Sequence, residues 1–146
     1  YKDYIYIMTQ KKFVTDIHIR FKDIDFMGHI NNAVYITYFE EGRKEFVHSV
    51  LEIMKPEDYS FILAHISCDY LMPVKLNDTV YLEIWVEEIG NKRFDFAYRL
   101  LKKGIDGNEA IVCAKARSVQ VFFDYKQNVT LAIPEHIREL LSQYTV

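Results

Sequence analysis

From Arg20 to Tyr35 the chain reads Arg-Phe-Lys-Asp-Ile-Asp-Phe-Met-Gly-His-Ile-Asn-Asn-Ala-Val-Tyr, which gathers groups able to act on a carbonyl. Asp25 supplies a carboxylate that can take a proton from water or attack directly. Gly28, three residues on, lets backbone approach a ligand without a side-chain clash. Asn31 and Asn32 stand where a helix begins, and either can cap it. The first N–H groups of a helix lack intrahelical acceptors and carry partial positive charge, so they can hold an oxyanion forming on a carbonyl. One such donor contributes about 3–4 kcal/mol to a transition state. His29, inside the turn, can orient water or hold the loop by a hydrogen bond. Spacing alone leaves a second reading open, an Asx-rich loop that only caps a helix.

Those residues act together only if the flanking elements hold them. Residues 13–21 set Phe13, Ile17, Ile19 and Phe21 on one side against Asp16, His18 and Arg20, which predicts a first strand. A loop follows over residues 22–30. Residues 31–54 have helical period, with Tyr35, Tyr38, Phe39, Gly42, Phe46, Val50 and Ile53 on one face. Val34, Ile36 and Val47 widen that face until more than half of the helix needs cover. Gly42 costs a helix interior about 1 kcal/mol relative to alanine, and its bare Cα lets the helix approach a sheet closely. Lys55-Pro56 ends the helix.

The remainder reads as strands, over residues 59–71, 79–88 and 109–124, with another carrying Phe94, Phe96, Tyr98 and Leu100. Gly90-Asn91-Lys92 and Asp106-Gly107-Asn108 turn the chain between them. Such short connections make the last three strands antiparallel. Pro134 opens a short C-terminal helix on Ile137, Leu140 and Leu141. A single apolar helix must be covered by the sheet, so the expected class is α+β: a curved antiparallel sheet of about five strands wrapped around one long central helix.

A chain of 146 residues fits a single domain over residues 1–146, and Met8 reads as a natural start that leaves residues 1–7 as a leader outside the fold. A formal charge of −3 offers no general attraction to nucleic acid or to an anionic membrane, and no apolar run reaches 18 residues. Cys68 and Cys113 are expected as free thiols, which together with the lack of a secretion signal points to the cytoplasm. His65 and Cys68, three apart on a strand, face opposite sides and form no metal site. Neither a metal nor another cofactor is called for. There is no G-x-S-x-G elbow for serine chemistry.

Asp25-x-x-Gly28-His29-x-Asn31-Asn32, then Ala33-x-Tyr35 and Phe39-Glu40-Glu41-Gly42-Arg43, resembles the 4-hydroxybenzoyl-CoA thioesterase-like acyl-CoA thioesterases of the hotdog superfamily. Asp69-Tyr70-Leu71-Met72-Pro73-Val74 and Asp78-Thr79-Val80 match that family's strand–proline–turn–strand stretch, so the likeness runs from residue 13 to about 124. The His-x-Asn-Asn form is similar to the long-chain and plant-type acyl thioesterase branch. The resemblance implies hydrolysis of an acyl-CoA to a carboxylic acid and free CoA, in the realm of fatty acid metabolism. Asp25 would be the catalytic carboxylate, and backbone amides from Gly28 to Asn32 would polarise the thioester carbonyl. It implies a homodimer or homotetramer with sites at the subunit boundary. Tyr35 and Tyr38 are expected in the core or on acyl-pocket walls. Glu40 and Arg43, at helical spacing, are expected to pair. Glu41 is a further substrate-facing candidate, because some hotdog thioesterases use a helix glutamate. Arg93, Arg99, Lys102, Lys103, Lys115 and Arg117 are candidates for CoA phosphates or for a solvated sheet face. Rival readings are an acyl-carrier-protein thioesterase and a non-catalytic binder of acyl or aromatic ligands. A hotdog dehydratase is disfavoured by the lack of a G-D-x-N-P-x-H stretch.

Overall fold

A computed structural model describes residues 11–145, so the leader expected at residues 1–7 lies outside the described residues. Its chain order is β1 (Phe13–Ile17), α1 (Asn32–Ser49), β2 (Phe61–Tyr70), β3 (Val80–Ile89), β4 (Arg93–Lys102), β5 (Ile111–Asp124), β6 (Val129–Thr130) and α2 (Glu135–Ser142). The strands form one antiparallel sheet in the order β1-β3-β4-β5-β2, with the two-residue β6 folded back on β5. Among the described residues no helix is long and apolar enough to cross a membrane.

Strand alternation decides what meets the helix. Val80, Leu82, Ile84 and Val86 of β3, then Phe94, Phe96, Tyr98 and Leu100 of β4, are buried against α1. Phe46 of α1 meets Phe96 edge-on at 4.8 Å and Phe13 at 5.6 Å. Such pairs add about 0.5–1.5 kcal/mol beyond the area they bury. Gly42 sets the helix–sheet distance, because a methyl there would overlap Leu82 and come within 2.8 Å of Ile84 Cδ1. Ile137 and Leu141 of α2 close one end of the core, where Val86 N–H donates to Tyr144 O at 2.9 Å.

Two element ends differ from the sequence pattern, each for a local reason. β1 stops at Ile17, because Arg20 N–H is taken by Asp23 Oδ2 at 2.9 Å and opens a 3-10 turn over Phe21–Asp23. Phe21, expected on the strand's apolar side, is consequently exposed. α1 stops at Ser49 instead of residue 54, since Val50 and Leu51 both donate to Phe46 O and Glu52 turns the chain at φ 57°. Leu51 is still buried and Ile53 still packs against the core, which is why the apolar period outran the helix.

β5 presents Ala114, Ala116, Ser118, Gln120 and Phe122 to the helix side, opposite Leu100, Tyr98, Phe96 and Phe94 of β4 and the row Tyr70, Cys68, Ile66, Leu63 and Phe61 of β2. Among the described residues β2 has β5 on one side and no strand on the other. Most of β2 is therefore open, and its helix-facing row forms one wall of a trough beside α1.

Candidate active site

The turn ahead of α1 is built by Asp25 itself. Its Oδ1 accepts from Met27 N–H at 2.8 Å and from His29 N–H at 3.2 Å, an Asx turn. Its backbone N–H donates to His29 O at 2.7 Å, and its carbonyl accepts from Gly28 N–H at 3.1 Å. Gly28 sits at φ 79°, in the left-handed region that favours glycine, with nothing within 4 Å of where a Cβ would stand. Backbone geometry, not crowding, thus explains the glycine.

The loop is pinned from both sides. Ile30 N–H donates to Val74 O at 2.8 Å, in the β2–β3 connection, and Asn31 N–H donates to Asp23 O at 2.9 Å. Asp23 is itself buried, and its Oδ2 accepts from Tyr38 O–H at 2.7 Å as well as from Arg20 N–H. Burial first, and then the Asp23 hydrogen bond, push the Tyr38 pKa up, so its hydroxyl stays protonated as the donor. The turn is held by an inner strut that runs from the loop entry to the second turn of the helix.

These bonds narrow the set of amides free to meet a ligand. Asn31 caps α1, its Oδ1 accepting from Ala33 N–H at 2.9 Å, and Val34 N–H donates to Asn31 O. From Gly28 to Val34, among the described residues, Asn32 N–H alone has no protein acceptor. Asp25 Oδ2 likewise has no partner among the described residues. Asp25, His29, Asn32 and Tyr35 line a cleft of about 250 Å³ whose far wall is Tyr70, Leu71, Met72 and Pro73. Tyr70 meets Tyr35 edge-on at 4.9 Å and donates its hydroxyl to Asn32 O at 2.7 Å, tying the strand end to the first helical turn. Burial pushes the Tyr35 hydroxyl up to about 12, and raises the pKa of the neighbouring Cys68 thiol, so both face the trough uncharged.

Other expected residues lie elsewhere. Tyr38 is behind the turn, within the strut. Glu41 points toward β1, 3.4 Å from Arg20. Arg93 starts β4 at the other end of the sheet, opposite Val121, and pairs with Asp95 at 3.3 Å and Glu88 at 3.9 Å. Arg99 and Arg117 are likewise held by Glu83 and by Asp95. Lys102, 3.8 Å from Asp78, also reaches Pro73 O at 3.4 Å on the cleft's rim. Glu40 and Arg43 form no ion pair, because Arg43 turns inward and is buried. The Tyr70–Pro73 wall carried a signal in sequence, a strand stopped by proline, but nothing local linked it to residue 25.

A curved antiparallel sheet in this strand order around one long helix, with a carboxylate and a helix start opening on one cleft, is the hotdog arrangement used for thioester chemistry. Residues 19–141 match the model of the Thioesterase-like superfamily, and the chain belongs to that superfamily. The long-chain acyl-CoA thioesterase FadM of Escherichia coli K12 is 25% identical over 131 residues, spanning 88% of this chain and 96% of that protein. A Bacillus stearothermophilus structure, described as a predicted thioesterase, superposes with a TM-score of 0.84 at 27% identity, covering 93% of this chain and 98% of that one. A thioesterase from Thermus thermophilus, solved with coenzyme A and Zn, gives 0.75 at 27% identity over 90% of this chain and 92% of that one.

Proposed function

We propose that Asp25 and the Asn32 N–H carry the hydrolysis of an acyl-CoA thioester by this enzyme. The supporting observation is that the free Oδ2 of Asp25 and the unpaired Asn32 amide belong to residues lining one cleft. The thioester oxygen binds at Asn32 N–H. Oδ2 takes a proton from water as the water oxygen bonds to the carbonyl carbon. The tetrahedral oxyanion is held at the amide, at the positive end of α1. The C–S bond then breaks, and the departing thiolate takes the proton back from Asp25. Direct attack by Oδ2, through a mixed anhydride opened by water, uses the same two groups.

The acyl group lies in the trough between α1 and the inner row of β2. Lys102, at the rim, is the cation assigned to the CoA phosphates. Names of relatives, long-chain acyl-CoA among them, support an aliphatic acyl-CoA and a place in fatty acid metabolism. The two free cysteines suit a reducing cytoplasm. Release of free thiol is measured across short, long and aromatic acyl-CoAs and the matching acyl carrier proteins. Long-chain acyl-CoAs are expected to give the highest kcat/KM. Tight binding without turnover of any of them would leave a binding protein instead.

The open side of β2 supports a homodimer. An edge strand that exposes Leu63 and Tyr70, with no strand beside it among the described residues, is a place for a second strand, and a copy docked there would roof the trough. Sedimentation is expected at the mass of two or four chains; a monomer at micromolar concentration would exclude that assembly.

A further inference from the structure

Arg43 is only 7% exposed and, among the described residues, makes one hydrogen bond, a long one of 3.4 Å to Tyr98 Oη. Among the described residues no carboxylate lies within 4 Å of its guanidinium. A buried cation with most of its donors unused is costly unless something polar meets it. Next to it, Tyr98 Oη lies 2.5 Å from Ser118 Oγ, and Ser118 Oγ accepts from Gln120 Nε2. Gln120 is 1% exposed, and its Oε1 is buried with no partner among the described residues. Native proteins leave few such atoms unpaired, and each asks for a reason.

Arg43 and Gln120 both line a cavity of about 470 Å³ that also touches Tyr59, Phe61, Leu63 and Glu40. Like the cleft at Asp25, it opens between α1 and β2. Arg43 is eleven residues past Asn32 on α1, roughly 16 Å along the axis at 1.5 Å per residue. The opposite wall runs in step, from Tyr70 through Cys68 and Ile66 to Leu63, all on the helix-facing row of β2. An acyl chain laid from Asn32 along α1, past Cys68 and Ile66, reaches this polar cavity.

We propose that this end of the trough reads a hydroxyl on the distal part of the acyl chain, making hydroxylated acyl-CoAs the preferred substrate class. A hydroxyl meets both demands at once: it accepts from Arg43 and donates to Gln120 Oε1. A methyl terminus meets neither and strips any water from both groups. A carboxylate satisfies Arg43 but cannot donate to Gln120, and it faces Glu40 on the cavity wall. Arg43 and Gln120 select the substrate; they do not touch the reacting atoms.

The inference rests on the thioesterase reading, and one assay separates the two. Thiol release is followed with ω-hydroxy, unsubstituted and ω-carboxy acyl-CoAs of matched length, from dodecanoyl to hexadecanoyl. At the best length, wild type is expected to favour the hydroxyl by about ten- to a hundredfold in kcat/KM, the scale of one or two hydrogen bonds involving a charged group. Gln120→Met is expected to cut that ratio by about three- to tenfold, leaving the part that Arg43 sustains. A wild-type ratio near one, a preference for the carboxylate, or a preference left undiminished by Gln120→Met would each overturn the proposal. The wild-type comparison stands even if the variant fails to fold. No turnover of any acyl-CoA would sink the thioesterase reading, and this proposal with it.

Discussion

Asp25→Asn is expected to keep the fold and lose about two to four orders of magnitude in kcat, the range attached to a positioned acid or base. Asparagine is the informative replacement because its amide oxygen can still accept from Met27 N–H and His29 N–H, as Oδ1 does in the wild type. The turn survives while the negative charge at Oδ2 becomes an amide that neither accepts a proton nor attacks a carbonyl. Thermal unfolding is expected to be nearly unchanged, and KM to move much less than kcat. Asp25→Ala would remove the turn's acceptor as well, mixing folding with chemistry. If Asp25→Asn hydrolysed acyl-CoA within a few-fold of wild type, Asp25 would be a turn residue and the chemistry would lie elsewhere.

Asp23→Ala is expected to act through the loop and to cost about 3–5 kcal/mol of stability. Two hydrogen bonds to a carboxylate vanish, each contributing about 1.5–3 kcal/mol, and the Tyr38 hydroxyl is left buried without its acceptor. For a domain of this size the midpoint of unfolding falls by roughly 10 °C or more. Because Asp23 is the entry to the turn carrying Asp25, the protein that remains folded is expected to turn over more slowly as well. Tyr38→Phe is the milder companion: it removes one bond and leaves the Arg20 contact. Calorimetry on both, with kcat measured well below the midpoint, checks the assignment; an Asp23→Ala protein as stable as wild type would show that the strut carries no load.

Much of this arrangement was legible along the chain because it is periodic. The alternation in β3 and β4 and the three-and-four spacing of Tyr35, Tyr38, Phe39, Gly42 and Phe46 each point to one face, and those faces meet in the core. The acid, glycine and asparagines around residue 28 are local in sequence and local in space. What escaped was whatever depends on a distant partner. Which amide stays free could not be read, since Asp23 O and Val74 O claim Asn31 and Ile30, and Val74 is more than forty residues away. The Glu40–Arg43 spacing suited a surface pair, but Tyr98, on β4, gives Arg43 an inward partner. The cations of the late strands read alike in sequence. Only the sheet register separates Lys102, beside the rim, from Arg93 at the opposite end.

The absent side chain at position 42 has a consequence beyond close packing. With Leu82 and Ile84 seated against bare backbone, the helix is keyed into the sheet at one point and can neither slide along it nor rise from it without opening a void. That key lies beside Arg43 and ten residues from Asn32, so the interval between those two residues is a fixed gauge. A substrate held as proposed would be measured against it, and chain lengths on either side of the match should drop out abruptly instead of tapering.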